Sequence, residues 1–380
     1  MDFNLSEQHL AIRALAREFA QREIVPIAQE LDEREEFPYQ VIRGMADLGL
    51  MGLLFPEEYG GSGAGTLAHA IVEEELARVS CAIALTLVVN ASLAGNCLYL
   101  FANEERKQQW LVPTAQGKIL GAFGLTEPGA GSDAGATATT ATLDSDEWVI
   151  NGTKAFITNA GTDISGYVVV TAITGKRADG RKEISIILVP NGTKGYTWSS
   201  CYRKLGWHGL DTRELSFADC RVPKENLVGE RGAGLKQAVA TAGEARIAFA
   251  ATSVGVAQSC FDLSLSYAQE RVQFGEPIFH FQAIQFKLVD MAVNIELARL
   301  MTYKAAVLKD EGKSFVKEAS MAKLFASEIA VRAAEDGVQI HGGYGCVEDF
   351  PVARLYRDAK ILTIGEGTSE IQRLRIARYL

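Results

Sequence analysis

The sequence predicts an α+β protein built from three consecutive regions: helical, then sheet, then helical. Three observations carry this. The hydrophobic period is helical up to about residue 118. Between about 119 and 230 it gives way to short runs rich in Val and Ile, and from about 231 it is helical again to the end. No helix of useful length separates the middle runs, so an antiparallel sheet is expected rather than a Rossmann-type sheet with crossover helices. The domains are accordingly placed at 1–118, 119–230 and 231–380.

In the first region Ser6 can cap a helix carrying Leu10, Ala14, Leu15 and Phe19 on one face. Pro26 and Pro38 punctuate the segments after that helix, and Tyr59-Gly60-Gly61-Ser62-Gly63 reads as a turn. Residues 64–100 are again rich in Ala and Leu. In the middle region Trp148 to Ile157 reads as two strands joined by an Asn151-Gly152 turn, a dipeptide that accepts positive φ. Tyr167 to Ile173 and Ile184 to Val189 are short apolar runs, and Leu215-Ser216-Phe217 alternates as a half-buried strand does. In the third region Ile284, Leu288, Met291, Ile295 and Ala298 fall on one helical stripe, and long helices with short connections suggest a bundle.

The 380 residues carry 22% charged side chains of mixed sign and a net charge of −9. That balance disfavours disorder, and it disfavours a nucleic-acid partner, which needs excess Lys and Arg to neutralise phosphates. No apolar run is read as reaching the roughly 18 residues that cross a bilayer, so no membrane span is expected. Met1-Asp2-Phe3-Asn4 lacks the basic and apolar segments of a secretion signal. Six scattered cysteines form no CxxC pair, so neither a zinc site nor a disulfide framework is indicated. A cytoplasmic protein is expected, or a mature matrix protein if processed.

Four runs could carry chemistry. The first is Gly124-Leu125-Thr126-Glu127-Pro128-Gly129-Ala130-Gly131-Ser132-Asp133, whose glycines allow close backbone approach and whose Thr126 and Ser132 offer hydroxyls. It does not fit GxGxxG, and it reads equally as a loop entering the sheet. The second is Arg271-Val272-Gln273-Phe274-Gly275 with Gln282, able to bind a phosphate and a flat ring, or simply an interhelical turn. The third, Gln339 to Gly345, ends a helix in glycines; His341 there reads as a hydrogen-bonded local residue. In the fourth, Ile364 to Arg373, Ser369 and Gln372 have capping-box spacing, and Glu366 lies between two glycines just outside the helix. A carboxylate there either complements the helix dipole or reaches into a pocket.

Jointly, in this order and at this spacing, the four runs resemble the acyl-CoA dehydrogenase family over essentially the whole chain, from Phe3 onward. The resemblance implies a helical domain, a middle β domain and a C-terminal four-helix bundle. It implies one FAD per subunit, with Phe123, Leu125, Thr126 and Ser132 lining the flavin and Phe156 and Thr158 contacting its ring system. Arg271, Phe274, Gln282, Gln339 and Gly343 match positions through which a neighbouring subunit completes the FAD site. Thr368 and Glu370 match a further FAD-contacting segment. A homodimer is then the minimal unit and a homotetramer the usual one. The family's base falls on Glu366, which would take the α-proton of an acyl-CoA thioester while a hydride leaves the β-carbon for flavin N5. The product is a trans-2-enoyl-CoA, and the electrons pass to electron-transfer flavoprotein.

Two departures matter. One branch of the family carries its base just before the arginine of Ala245-Arg246, and Ala245 excludes that here; Glu244 is held as a minor alternative base. Arg246 would bind the CoA moiety or orient the catalytic segment. Many straight-chain members have tyrosine where this chain has Gly365, so added room is expected there, with a short, branched or cyclic acyl group accepted. Ser132, Arg246 and Gly365 are thus the candidate substrate contacts. No arginine stands near Ile83-Ala84-Leu85, which disfavours a dicarboxylic substrate. Fast reoxidation by oxygen would instead point to an oxidase, and absence of bound FAD to a non-catalytic assembly.

Overall fold

A computed structural model describes residues 4–380; Phe3 lies outside the described residues. The first region is helical: α1 (Glu7–Phe19), α2 (Ala28–Arg34), α3 (Tyr39–Asp47), α4 (Gly65–Ala77), α5 (Cys81–Leu87), α6 (Asn96–Phe101), α7 (Glu104–Arg106) and α8 (Val112–Ala115). Ser6 caps α1 by accepting from the His9 N–H at 3.3 Å. The buried face differs from the expected one. Ala16 and Phe19 are buried, but Leu10 and Leu15 are exposed and Ala14 points outward. Arg17 bonds Glu75 of α4 at 2.7 and 2.9 Å, and α1 packs on α4 through this side.

Between α5 and α6 the chain runs through a π-helical stretch, Val88–Gly95, giving one helix from Cys81 to Phe101. Its mean hydropathy of 1.7 over at least 18 residues corrects the reading that no segment is long and apolar enough to span a bilayer. The segment is 94% buried inside the protein, where it packs on the sheet and the bundle, so it serves as a core helix.

The middle region is one sheet in the order β6-β7-β3-β2-β4-β5-β8, with β1 beside β4. The strands are β1 (Leu120–Gly124), β2 (Thr140–Asp144), β3 (Glu147–Thr158), β4 (Ser165–Lys176), β5 (Lys182–Pro190), β6 (Tyr196–Trp198), β7 (Thr212–Pro223) and β8 (Leu227–Val228). The sheet is mixed, not purely antiparallel: β1 and β2 both run parallel to β4. Asn151-Gly152 is no hairpin. β3 continues through it, and the register against β7 shifts between Ile150 and Gly152. Gly152 has φ 149°, and an added Cβ would lie 2.5 Å from Thr139 Oγ1, so close strand approach, not chain reversal, requires this glycine. The reversal occurs earlier, at Ser145 (φ 58°), between β2 and β3.

The third region holds α9 (Gly234–Glu270), α10 (Gln282–Asp310), α11 (Val316–His341), α12 (Pro351–Leu362) and α13 (Ser369–Ala377). Leu288, Met291, Ile295 and Ala298 are buried along α10, as their spacing predicts. Helices α9, α10 and α11 pack mutually, and α4 joins them, so the first and third regions share one core.

Candidate functional site

Glu366 sits in the link between α12 and α13 at φ 54°, flanked by Gly365 and Gly367. A left-handed conformation at a glutamate is sterically costly and has to be held by its surroundings. Here the Gln372 Nε2 donates at 3.0 Å to the carbonyls of both Glu366 and Gly367, and Lys323 Nζ donates to the Gly367 carbonyl at 2.7 Å. The cap of α13 is Thr368, which accepts from the Ile371 N–H at 3.4 Å, rather than Ser369. Gln372 is thereby free to turn back onto the loop. No hydrogen bond among the described residues engages the Glu366 N–H.

The Glu366 carboxyl is pushed above the ordinary carboxylate range by burial, and the cations Arg246, Lys323 and Arg375 pull in the opposite direction. Arg246 and Lys323 are themselves almost fully buried. Burial lowers Arg246 to about 10 and Lys323 to about 8, while Glu366 supports the charge of both. Nε and Nη1 of Arg246 have no hydrogen-bond partner among the described residues. The guanidinium thus faces Glu366 as a neighbouring charge, an arrangement suited to orienting that segment. Glu244 is placed differently. It is buried and ion-paired with Lys309, so it is committed elsewhere.

Ala245, next to Arg246 in the chain, clusters with Val89, Leu93 and Phe123. Val89 and Leu93 come from the π-helical stretch. The room expected at Gly365 is not vacant. An added Cβ there would lie 3.0 Å from Phe249 Cε1 and 3.2 Å from Trp207 Cη2.

The glycine-rich run leaves β1 and is fastened beneath by a buried ion pair. Lys154 of β3, fully buried, donates to Glu127 at 2.7 Å, to Thr171 Oγ1 at 3.1 Å and to the Leu125 carbonyl at 3.3 Å. Glu127 also accepts from the Thr137 hydroxyl and from the N–H groups of Ala138 (2.6 Å) and Thr139 (3.1 Å). These donors hold Glu127 down at about 2. Burial lowers Lys154 to about 8, against the opposing pull of Glu127. Both are ionised at neutral pH. Above the pair the Ala155 N–H donates to the Thr126 carbonyl at 2.9 Å. Phe123, Leu125 and Thr126 are half-buried along this edge, and Ser132 is exposed at the loop tip.

Phe156, at φ 59°, occupies a bulge between Lys154 and Ile157, and its ring is 65% exposed. Thr158 ends β3 half-buried. Arg271, Phe274, Gln282, Gln339 and Gly343 lie on the surface of the third region. Arg271 and Gly343 share a cleft of ≈ 440 Å³ with Tyr267 and His341, and the Arg271 guanidinium sits 5.8 Å from the Tyr344 ring. None of the residues lining that cleft belongs to the group around Glu366. Phe274, at φ 53°, is 96% exposed. His341 Nδ1 donates to the Gly337 carbonyl at 2.8 Å, the local role its sequence context suggests. Thr368 and Glu370 sit at the start of α13. Reading the sequence missed Lys323, Arg375, Trp207, Phe249 and the Glu127–Lys154 pair. Lys154, Phe249, Lys323 and Arg375 lie in ordinary strand or helical patterns and Trp207 and Glu127 in loops, and it is their partners, distant in the chain, that give them a role.

Family models match the chain as acyl-CoA dehydrogenase N-terminal domain at residues 6–118, middle domain at 122–220 and C-terminal domain at 232–380. The probable acyl-CoA dehydrogenase YngJ of Bacillus subtilis (strain 168) is 51% identical over 100% of both chains. Butyryl-CoA dehydrogenase from Megasphaera elsdenii superposes with a TM-score of 0.96 at 41% identity, covering 100% of this chain and 99% of that one. A chain from a structural study of the electron transferring flavoprotein of Acidaminococcus fermentans gives 0.96 at 43% identity, with the same coverage. The family's cofactor is FAD, and the residues fit it. Gly129 and Gly131 border open space, where an added Cβ meets nothing within 4 Å. The bare ring of Phe156 stands on rigid backbone in the strand that anchors the same loop. The chain is an FAD-dependent oxidoreductase that belongs to the acyl-CoA dehydrogenase family.

Proposed function

We propose that the protein dehydrogenates an acyl-CoA thioester between its α and β carbons, yielding the trans-2-enoyl-CoA, with Glu366 as the base. The observation that carries this is the Glu366 carboxyl, partly desolvated and beside three cations. A thioester α-proton is too weakly acidic for a carboxylate in water. Desolvation raises the base strength of Glu366, and Arg246, Lys323 and Arg375 keep it ionised. Its own N–H, left without an intramolecular partner by the left-handed turn, is suited to donate to the thioester oxygen as enolate charge develops. Lys323 and Gln372 fix the carbonyls of Glu366 and Gly367, so the N–H and the carboxylate keep one geometry.

Phe123, Leu125, Thr126, Ser132, Phe156 and Thr158 would hold the flavin, with Thr368 and Glu370 beside it. Bound there, FAD supplies the acceptor for the hydride that leaves the β-carbon. Arg271, Phe274, Gln282, Gln339 and Gly343 would serve the FAD of a neighbouring copy, since they stand apart on the surface; a homotetramer is the assembly this sharing favours. Electron-transfer flavoprotein is the proposed acceptor, a reading supported by the A. fermentans relative. The experiment is anaerobic mixing of the holoenzyme with butyryl-CoA, monitoring flavin bleaching. Glu366→Gln is expected to slow bleaching by about 10²–10⁴-fold with FAD still bound. Equal bleaching rates would remove Glu366 from the mechanism.

A further inference from the structure

Resting on that reading, we propose that Phe249 and Trp207 form a fixed wall beside the base that limits the acyl group to short, unbranched chains. Gly365 immediately precedes Glu366. The volume that a side chain at 365 would claim is already filled, with Phe249 Cε1 and Cζ at 3.0 and 3.2 Å and Trp207 Cη2 at 3.2 Å from an added Cβ. The two rings are buried and meet edge to face, with centroids 6.3 Å apart. Phe249 stands four residues after Ala245 on α9, so both side chains share a helix face. The space beside Gly365, next to Glu366 in the chain, is therefore closed by two aromatic rings, and one turn earlier on the same helix Ala245 packs on Val89, Leu93 and Phe123.

The wall cannot swing aside cheaply. Trp207 is held at φ 57° by Asp358, whose carboxylate accepts from the Trp207 N–H at 2.6 Å and whose carbonyl accepts from Nε1 at 3.1 Å. Gly206 is pressed against the same aspartate, since an added Cβ would lie 2.6 Å from its Oδ1. On the next residue, His208 faces Asp32 at 3.3 Å, and Arg357 bonds Asp32 at 2.7 Å. Residues from the first and third regions thus pin the middle-region segment that carries the indole. Glycine at 365 and phenylalanine at 249 are complementary: the ring takes the place of the missing side chain. A chain extended beyond a few carbons, or branched near the β-carbon, has to displace Phe249.

The test compares the holoenzyme with Phe249→Val on butyryl-, isovaleryl- and octanoyl-CoA, measuring kcat/KM with an artificial electron acceptor. Calorimetric binding of the same thioesters to Glu366→Gln enzyme, with and without Phe249→Val, gives a readout independent of turnover. The wild type is expected to favour butyryl-CoA by at least about 10-fold, and Phe249→Val to raise the octanoyl or isovaleryl ratio to butyryl by about 10-fold or more. Phe249→Leu serves if the valine variant folds poorly. Gly365→Ala is expected to impair every thioester and to be partly rescued by Phe249→Leu. Equal use of butyryl-CoA and a bulkier thioester by the wild type, or ratios unmoved by both Phe249 variants, would overturn the wall while leaving the dehydrogenase reading intact. Failure of all thioesters to react with the wild type would overturn both.

Discussion

Lys154→Met probes the fastening beneath the glycine-rich loop proposed to hold the flavin. Lys154 is completely buried and binds Glu127 at 2.7 Å, so the substitution leaves a carboxylate without its counter-charge. Breaking a buried pair from one side typically costs about 3–5 kcal/mol. Glu127 keeps three donors from Thr137, Ala138 and Thr139, which places Lys154→Met near the lower end. Glu127→Ala belongs nearer the upper end, because Lys154 then retains only neutral acceptors. Glu127→Gln with Lys154→Met removes both charges together, and a double-mutant cycle is expected to show about 2 kcal/mol or more of coupling. The assays are urea unfolding of the apoprotein and the FAD dissociation constant. The second should weaken because the pair anchors Leu125 and Thr126. The sign in pH comes from Glu127, held at about 2. Its contribution is fully present above its ordinary 4.5 and is lost as pH falls towards 2. A Lys154→Met protein that loses under about 1 kcal/mol and binds FAD as before would refute this account of the loop.

Two further outcomes concern protons. The Glu366 carboxyl is raised by burial, and only its ionised form can act as a base, so kcat/KM should rise with pH through an inflection above the ordinary 4.5. Lys323→Met removes a cation that favours ionisation, so the inflection should move upward; a downward shift or none would contradict the assignment. Asp358 is fully enclosed and raised from 3.8 to about 6. The linked stability is present below 3.8 and is lost as pH rises through about 6, an interval worth roughly 3 kcal/mol. Asp358→Asn keeps an acceptor for the Trp207 N–H, so its stability, measured by urea unfolding, should be flatter across that window. An unchanged slope would show that Asp358 does not titrate there.

What sequence order by itself determined here is periodicity and local conformation. The stripe on α10, the cap at Ser6, the three-region order and the glycine-flanked Glu366 all come from spacing, because helix and strand geometry repeat at fixed intervals. The same local logic failed where partners are distant. Asn151-Gly152 looks like a hairpin, yet Thr139 beside β2 and the pairing with β7 keep β3 extended through it. Leu10 and Leu15 look like core, yet α1 packs on α4 with Ala16 and Phe19 buried and leaves both leucines exposed. Glu366 was legible as a residue, but its electrostatic setting was not. Its carboxyl is raised by burial against the opposing pull of Arg246, Lys323 and Arg375, drawn from three helices. The apparent vacancy at Gly365 depended likewise on the Phe249 ring, carried by a helix far away in the chain. Spacing decides which way a side chain points from its own element; only packing between elements decides what it meets there.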